Sequence, residues 1–200
     1  MVRKIKKAVW LKMEKTKNNY GKFLLLWAGE LISSIGGGLT SFGLGLYIFQ
    51  KTGSAADMAM LTLLGFLPAL VLKIPAGVLA DRYDRRLLMM IGDGRSGLGV
   101  LFILICMLTG EAALWQIYLG TTISSVFSAL LEPSYTATIT DLLTKEQYSK
   151  ANGLVSMAGS ARYLFSPVIA GFLLAASDIK LILIIDICTF FLTVVAAAVV

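Results

Sequence analysis

Apolar runs of more than twenty residues recur almost from end to end of this sequence, at about 23–49, 57–80, 87–109, 113–139, 152–176 and 179–200. A helix rises about 1.5 Å per residue and the hydrocarbon core of a bilayer is about 30 Å thick, so each run is long enough to cross it. A membrane barrel would show segments of about ten residues alternating apolar and polar, whereas these runs are continuous and rich in Leu, Ile, Gly and Ala. The expected fold is therefore an all-α membrane protein built as a six-transmembrane-helix bundle. Composition agrees, because 57% of the residues are hydrophobic and 15% charged, a balance foreign to soluble domains.

The first run is too long for the apolar core of a signal peptide, and no small-residue cleavage site follows it. Before it, residues 1–22 hold eight Lys or Arg against the single acid Glu14. Val2, Ile5, Val9 and Met13 recur there at helical spacing, which fits a basic interfacial helix on an anionic leaflet. A disordered basic tail is the alternative. Lys and Arg are concentrated in this segment, in Asp81–Arg86 and in Asp141–Lys150, against Lys51 and Lys180 on the other side. That asymmetry predicts a multi-pass protein of the cell membrane with both ends in the cytoplasm. The net charge of +6 thus follows from topology, and nucleic acid is not an expected partner. Cys106 and Cys188 lie inside apolar runs, there is no histidine, and no phosphate loop or metal motif is present, so neither cofactor, metal nor enzyme chemistry is expected.

Charged side chains inside spans are expensive, so those that occur need partners or water. Glu30, Ser33, Ser34, Gly37 and Ser41 fall on one face of the first span, and Thr121, Ser125, Ser128, Glu132 and Tyr135 on one face of the fourth. Stripes of small polar residues serve close helix packing as readily as a cavity. The glutamates add a charge that packing does not need, which makes Glu30 and Glu132 candidates for a substrate or proton cavity. Asp93 joins them, with Arg162 and Arg95 as candidate counter-ions. The three acids lie at similar depth, close enough to meet and exchange a proton. For Glu132 a structural ion pair at a cytoplasmic gate is an equal alternative, and Lys73 is expected to snorkel to an interface. A weak threefold pattern of acid, base near proline and acid also repeats: Glu30, Lys73 near Pro75, Asp93, then Glu132, Arg162 near Pro167, Asp186. It suggests two inverted three-helix repeats.

Between the second and third runs stands Gly77-Val78-Leu79-Ala80-Asp81-Arg82-Tyr83-Asp84-Arg85-Arg86. It resembles the signature loop of the major facilitator superfamily, G-x-L-A-D-r-x-G-R-[RK]. Asp81 at a helix carboxyl end and Arg85 and Arg86 at an amino end each oppose the local helix dipole, so other partners must hold them. The resemblance implies a conformational latch made of Gly77, Asp81, Arg82, Arg85 and Arg86, with Asp81 facing the other half of a transporter. Arg85 would pair with an acid such as Glu132 or Asp141. Asp84 departs from the family pattern, where glycine suits a left-handed turn. Arginines acting only as positive-inside anchors are the simpler alternative.

The wider chain resembles the drug-exporter branch that includes macrolide efflux proteins and siderophore exporters, through Gly36–Thr40, Thr52-Gly53-Ser54, Glu132-Pro133, Asp141-Leu142, Ala151-Asn152-Gly153 and Ile185-Asp186. Ser166-Pro167-Val168-Ile169-Ala170-Gly171 resembles the fifth-helix motif of family antiporters, with Ser and Ala in place of two glycines. What this implies is the amino-terminal half of a proton antiporter that exports small amphipathic compounds by alternating access. Its partners would be a small-molecule substrate, protons, membrane lipids, and a missing carboxy-terminal six-helix half or a second copy. A lipid-like or siderophore substrate, or a half-length module that assembles in the membrane without transporting, are the alternatives.

Overall fold

The computed structural model describes the backbone of residues 2–199 and the side chains of residues 19–198. Seven helices follow one another: α1 (Val2–Thr52), α2 (Ala55–Arg82), α3 (Arg85–Thr109), α4 (Leu114–Ser128), α5 (Leu131–Leu142), α6 (Lys145–Ala176) and α7 (Ile179–Val199). Among the described residues there are no strands. The side chains on which the basic interfacial stripe rests, up to residue 18, lie outside the described residues.

Six segments are long and apolar enough to cross a membrane: Asn19–Thr52, Ala55–Arg82, Arg85–Thr109, Leu114–Leu142, Lys145–Ala176 and Ile179–Ala198. The fourth combines α4 and α5, where the sequence suggests one uninterrupted helix. Pro133 accounts for the break, since it has no N–H to offer the carbonyl of Ala129 and its ring crowds that carbonyl. The chain there tightens into a turn, with the Leu130 N–H bonding the Phe127 carbonyl at 3.1 Å.

Each junction has a local cause. Gly53 is left-handed at φ +67°, a conformation glycine adopts without penalty, and Ser54 then caps α2 by accepting from the Asp57 N–H at 3.2 Å. Asp84 caps α3 through the N–H groups of Arg86 and Leu87, at φ −60°. No left-handed residue is needed there, so aspartate in place of the family glycine gains a cap. Thr144 opens α6 with a reciprocal capping box to Gln147. Thr144→Ala is expected to cost about 1 kcal/mol, seen as a small fall in the melting temperature of purified protein.

The bundle is assembled by glycine. α1 packs on α6 and α7, α3 on α4 and α7, and α2 on α4. Gly29, Gly36 and Gly43 stand one heptad apart on α1 against α7: a Cβ at Gly29 would lie 3.1 Å from Ala196 Cβ, and one at Gly43 3.0 Å from Ile179 Cδ1. Such small-residue contacts are how membrane helices gain van der Waals packing without a hydrophobic driving force. Two apolar clusters result. Phe23, Leu26, Met89, Ile139, Ala151 and Ala197 form one; Leu44, Ile48, Ile103, Ile117, Ile182 and Leu183 belong to the other. α2 and α6 are the most exposed spans, presenting Phe66, Val71 and Ile74, and Tyr163, Val168 and Phe172.

Candidate functional site

On every helix that enters both clusters, a charged residue lies between them. Glu30 lies between Leu26 and Leu39, Asp93 between Met89 and Val100, Arg162 between Ala151 and Ala170, and Asp186 between Leu183 and Ala197. Asp93 and Asp186 are 2% and 1% exposed. Asp93 is within electrostatic reach of Glu30 and Asp186, and Arg162 is within reach of Glu30 and Asp186. Two of the three carboxyl groups, Glu30 and Asp186, therefore share one guanidinium, and the third, Asp93, stands beside both.

Their hydrogen bonding is incomplete. Glu30 Oε2, Asp93 Oδ2, Asp186 Oδ1, and the hydroxyls of Thr40 and Tyr135 are buried without a partner. Tyr135 stands beside Glu30, and Thr40 and Thr189 beside Asp186. Buried polar atoms without partners are costly, and buried charges are costlier.

Gly36 and Gly38 build the α1 wall of this layer, each facing a different helix. A Cβ at Gly36 would sit 2.8 Å from Asp186 Oδ1 and in collision with the Thr189 hydroxyl, and one at Gly38 would lie 2.9 Å from Arg162 Cγ. Gly37 meets nothing within 4 Å, and Ser41, one turn on, is exposed. The Arg162 guanidinium reaches this open face, donating from Nη2 to Ser41 Oγ at 3.5 Å. The α1 stripe thus opens on solvent or a neighbour at Gly37 and Ser41 and leads inward past Glu30.

The fourth-span stripe is used differently. Ser124 and Ser128 both bond Ser96 of α3, at 2.7 and 2.8 Å, and Ser125 donates to the Gly65 carbonyl of α2 at 2.7 Å. These hydroxyls hold helices together. Glu132 does not meet Glu30 and Asp93. It pairs with Lys73 of α2 at 2.9 Å, both side chains more than half exposed, so Lys73 does not snorkel away either. Glu132 points round the helix toward α2. Arg95 is no counter-ion to Asp93; it is exposed and lies over the Phe127 ring, 5.8 Å from its centroid.

At the end of the bundle near the 81–86 loop, Arg85 finds the partners its position demands. Its Nη1 pairs with Asp141 and donates to the Ala137 carbonyl at 3.0 Å, while Nε donates to the Ala80 carbonyl at 3.3 Å. The Ala80 carbonyl and the Asp141 carboxylate belong to the last turns of α2 and α5, where the helix dipole favours a cation. Asp81, Arg82 and Arg86 are exposed and make no ion pair among the described residues. Gly77 has nothing within 4 Å, so within this bundle it allows no close approach. In α6, Ser166 is buried and donates to the Ile35 carbonyl at 3.1 Å, ahead of the in-helix Pro167; Gly171 faces open space. Among the described residues no three His, Cys, Asp or Glu side chains gather as a metal-ligand set.

Sequence alone missed Asp186 as part of the layer, although its place in the acid–base–acid repeat was the available signal. Thr40 gave no sign at all.

The family model of the Major Facilitator Superfamily matches residues 26–200. Macrolide efflux protein A of Streptococcus pyogenes is 32% identical over 175 residues, covering 88% of this chain and 43% of that protein. The uncharacterized MFS-type transporter YfiS of Bacillus subtilis is 33% identical over 181 residues, 90% of this chain and 42% of its own. The enterobactin exporter EntS of Shigella flexneri is 26% identical over 174 residues, 86% and 42% of the respective chains. This chain thus spans less than half the length of the curated relatives it matches.

Proposed function

The chain belongs to the major facilitator superfamily, a multi-pass membrane transporter and not an enzyme, and from that premise we propose that it forms the amino-terminal half of a proton-coupled exporter of small amphipathic compounds. The second six-helix half would supply the partner for the exposed faces of α2 and α6, and the two halves would rock about a central site at the bilayer midplane. Relatives named for macrolide and enterobactin efflux support the direction and the size class of the cargo. Lys and Arg in the tail, the 81–86 loop and the 141–150 loop support cytoplasmic ends in the cell membrane.

One observation supports proton coupling above all: three acids and one guanidinium lie between two apolar clusters with orphaned oxygen atoms. Full ionisation would leave an excess of negative charge in a low dielectric. A proton, taken up and released as the site opens to each side, removes that excess. Glu30, on the same face of α1 as Gly37 and Ser41 and less enclosed than Asp93 and Asp186, is the natural point of entry, with Asp93 beside it. Glu132, held by Lys73, fits the role of a gate or cavity wall. Asp81, exposed at the end of α2, is free to latch the other half while Arg85 fixes the loop.

The test is efflux from proteoliposomes holding the full-length transporter, with and without an imposed pH gradient. Glu30→Gln is expected to reconstitute in normal amount and to lose at least ten-fold in gradient-driven efflux. Gradient-driven efflux at the wild-type rate would remove Glu30 from the coupling path.

A further inference from the structure

Arg162 is the one described cation that reaches the buried layer, and it is not committed to any acid there. The ion pairs among the described residues are Lys51–Glu111, Lys73–Glu132, Arg85–Asp141 and Lys180–Asp178. None involves Arg162. Its hydrogen bond to Ser41 Oγ is long at 3.5 Å, yet its charge acts on both Glu30 and Asp186. It stands between an acid on α1 and an acid on α7.

The backbone is shaped for this arrangement. Gly36 leaves room for the Asp186 carboxylate and Gly38 for the Arg162 stem, two residues apart on the same helix. Any side chain at either position would push α7 or α6 away and separate the acid from the base. The groups around Asp186 are few. α1 presents Thr40, α3 presents Asp93, α6 presents Arg162, and α7 itself presents Thr189. Around Glu30 stand Asp93, Arg162 and, from α5, Tyr135. Both acids keep an orphaned oxygen, so each lacks one interaction that a moving guanidinium could supply.

We propose that Arg162 pairs alternately with Glu30 and Asp186, and that Asp186 is a proton-coupling residue of the transport cycle, a role that rests on the export reading above. When Glu30 takes a proton from the open face, its charge is cancelled and the guanidinium turns to Asp186. When that proton leaves Glu30 and Asp186 acquires one, the guanidinium returns to Glu30. With Asp93 holding a proton of its own throughout, no net charge is stranded in either state. Because Arg162 rides on α6 while the acids ride on α1 and α7, each exchange changes which helix α6 is bound to. The chemical event and the movement are thus the same step.

Asp186→Asn in the full-length exporter, reconstituted in proteoliposomes, tests this with two readouts. Gradient-driven efflux is expected to fall at least ten-fold, while substrate exchange at equal pH on both sides, which needs no net proton movement, stays within two-fold of wild type. Gradient-driven efflux at the wild-type rate overturns the proposal, and so does equal loss of both readouts, which marks a merely structural acid. Wild-type efflux indifferent to the gradient overturns the export reading itself and this proposal with it. If Asp186→Asn yields no folded protein, Asp186→Glu decides. A pH profile of efflux displaced from wild type supports the exchange, and an unchanged profile overturns it.

Discussion

Gly99→Val is expected to abolish accumulation of folded protein, or to lower its melting temperature by more than any other single change in the bundle. A Cβ at position 99 would collide with the Gly120 carbonyl oxygen and lie 2.7 Å from the Ser124 N–H nitrogen. Gly120 is the reciprocal contact, where a Cβ would lie 2.7 Å from the Gly99 carbonyl oxygen. These neighbours are backbone, so no rotamer change relieves the clash and α3 must withdraw from α4. Withdrawal breaks the bonds from Ser96 to Ser124 and Ser128 and opens the packing around Ile103 and Ile117, both 1% exposed. Overpacking alone costs about 1–3 kcal/mol, and loss of the hydroxyl bonds adds about 1 kcal/mol or more. Detergent-solubilised protein should melt roughly 5–15 °C lower, at about 2–4 °C per kcal/mol for this chain length. Gly37→Ala is the control. That position meets nothing within 4 Å, and alanine is the better helix former by about 0.5–1 kcal/mol, so the melting temperature should hold or rise. Equal losses in the two variants would mean that helix propensity, and not the α3–α4 crossing, governs these glycines.

That prediction also shows where sequence reading stops. Length and apolarity reveal each span, because both are properties of one helix against lipid. Periodicity reveals which residues share a face, and placed Glu30 with Gly37 and Ser41. It does not reveal what the face looks at. Glu132 shares depth with Glu30 but turns to Lys73, and Ser125 and Ser128 turn to the neighbours α2 and α3. Which helix stands opposite is a property of the assembly. The three consecutive glycines at 36–38 are legible only with α6 and α7 in place, since Gly36 faces α7, Gly38 faces α6 and Gly37 faces open space. Pro133 was visible in the chain, but the break it causes depends on how the turn at Ala129 and Leu130 packs, and Ala129 is buried. Asp186 sat in the repeat, yet its closeness to Arg162 follows from α7 docking on α1 through Gly29, Gly36 and Gly43.

Arg85→Ala should produce the second large effect, this time on transport more than on stability. Arg85 begins α3, where a cation opposes the dipole, yet its guanidinium reaches back to the ends of two other helices. It bonds Ala80 O of α2 and Ala137 O of α5 and pairs with Asp141. Three helix ends are fastened by one planar group. The Asp141 side chain is 69% exposed, so the ion pair alone is worth at most about 1 kcal/mol. Larger consequences come from the loop. Without Arg85 the 81–86 segment keeps its Asp84 cap but loses its anchor to α5, and the latch proposed for Asp81 loses its fixed place. Efflux by the full-length protein is expected to fall about ten-fold or more while melting temperature drops by only a few degrees. Lysine is a point charge on a flexible stem and cannot span both carbonyls and the carboxylate together. Arg85→Lys should therefore restore stability largely and transport only in part. Full recovery of efflux by Arg85→Lys would show that the position needs only positive charge, as a topological anchor does, and not the fork that joins three helices.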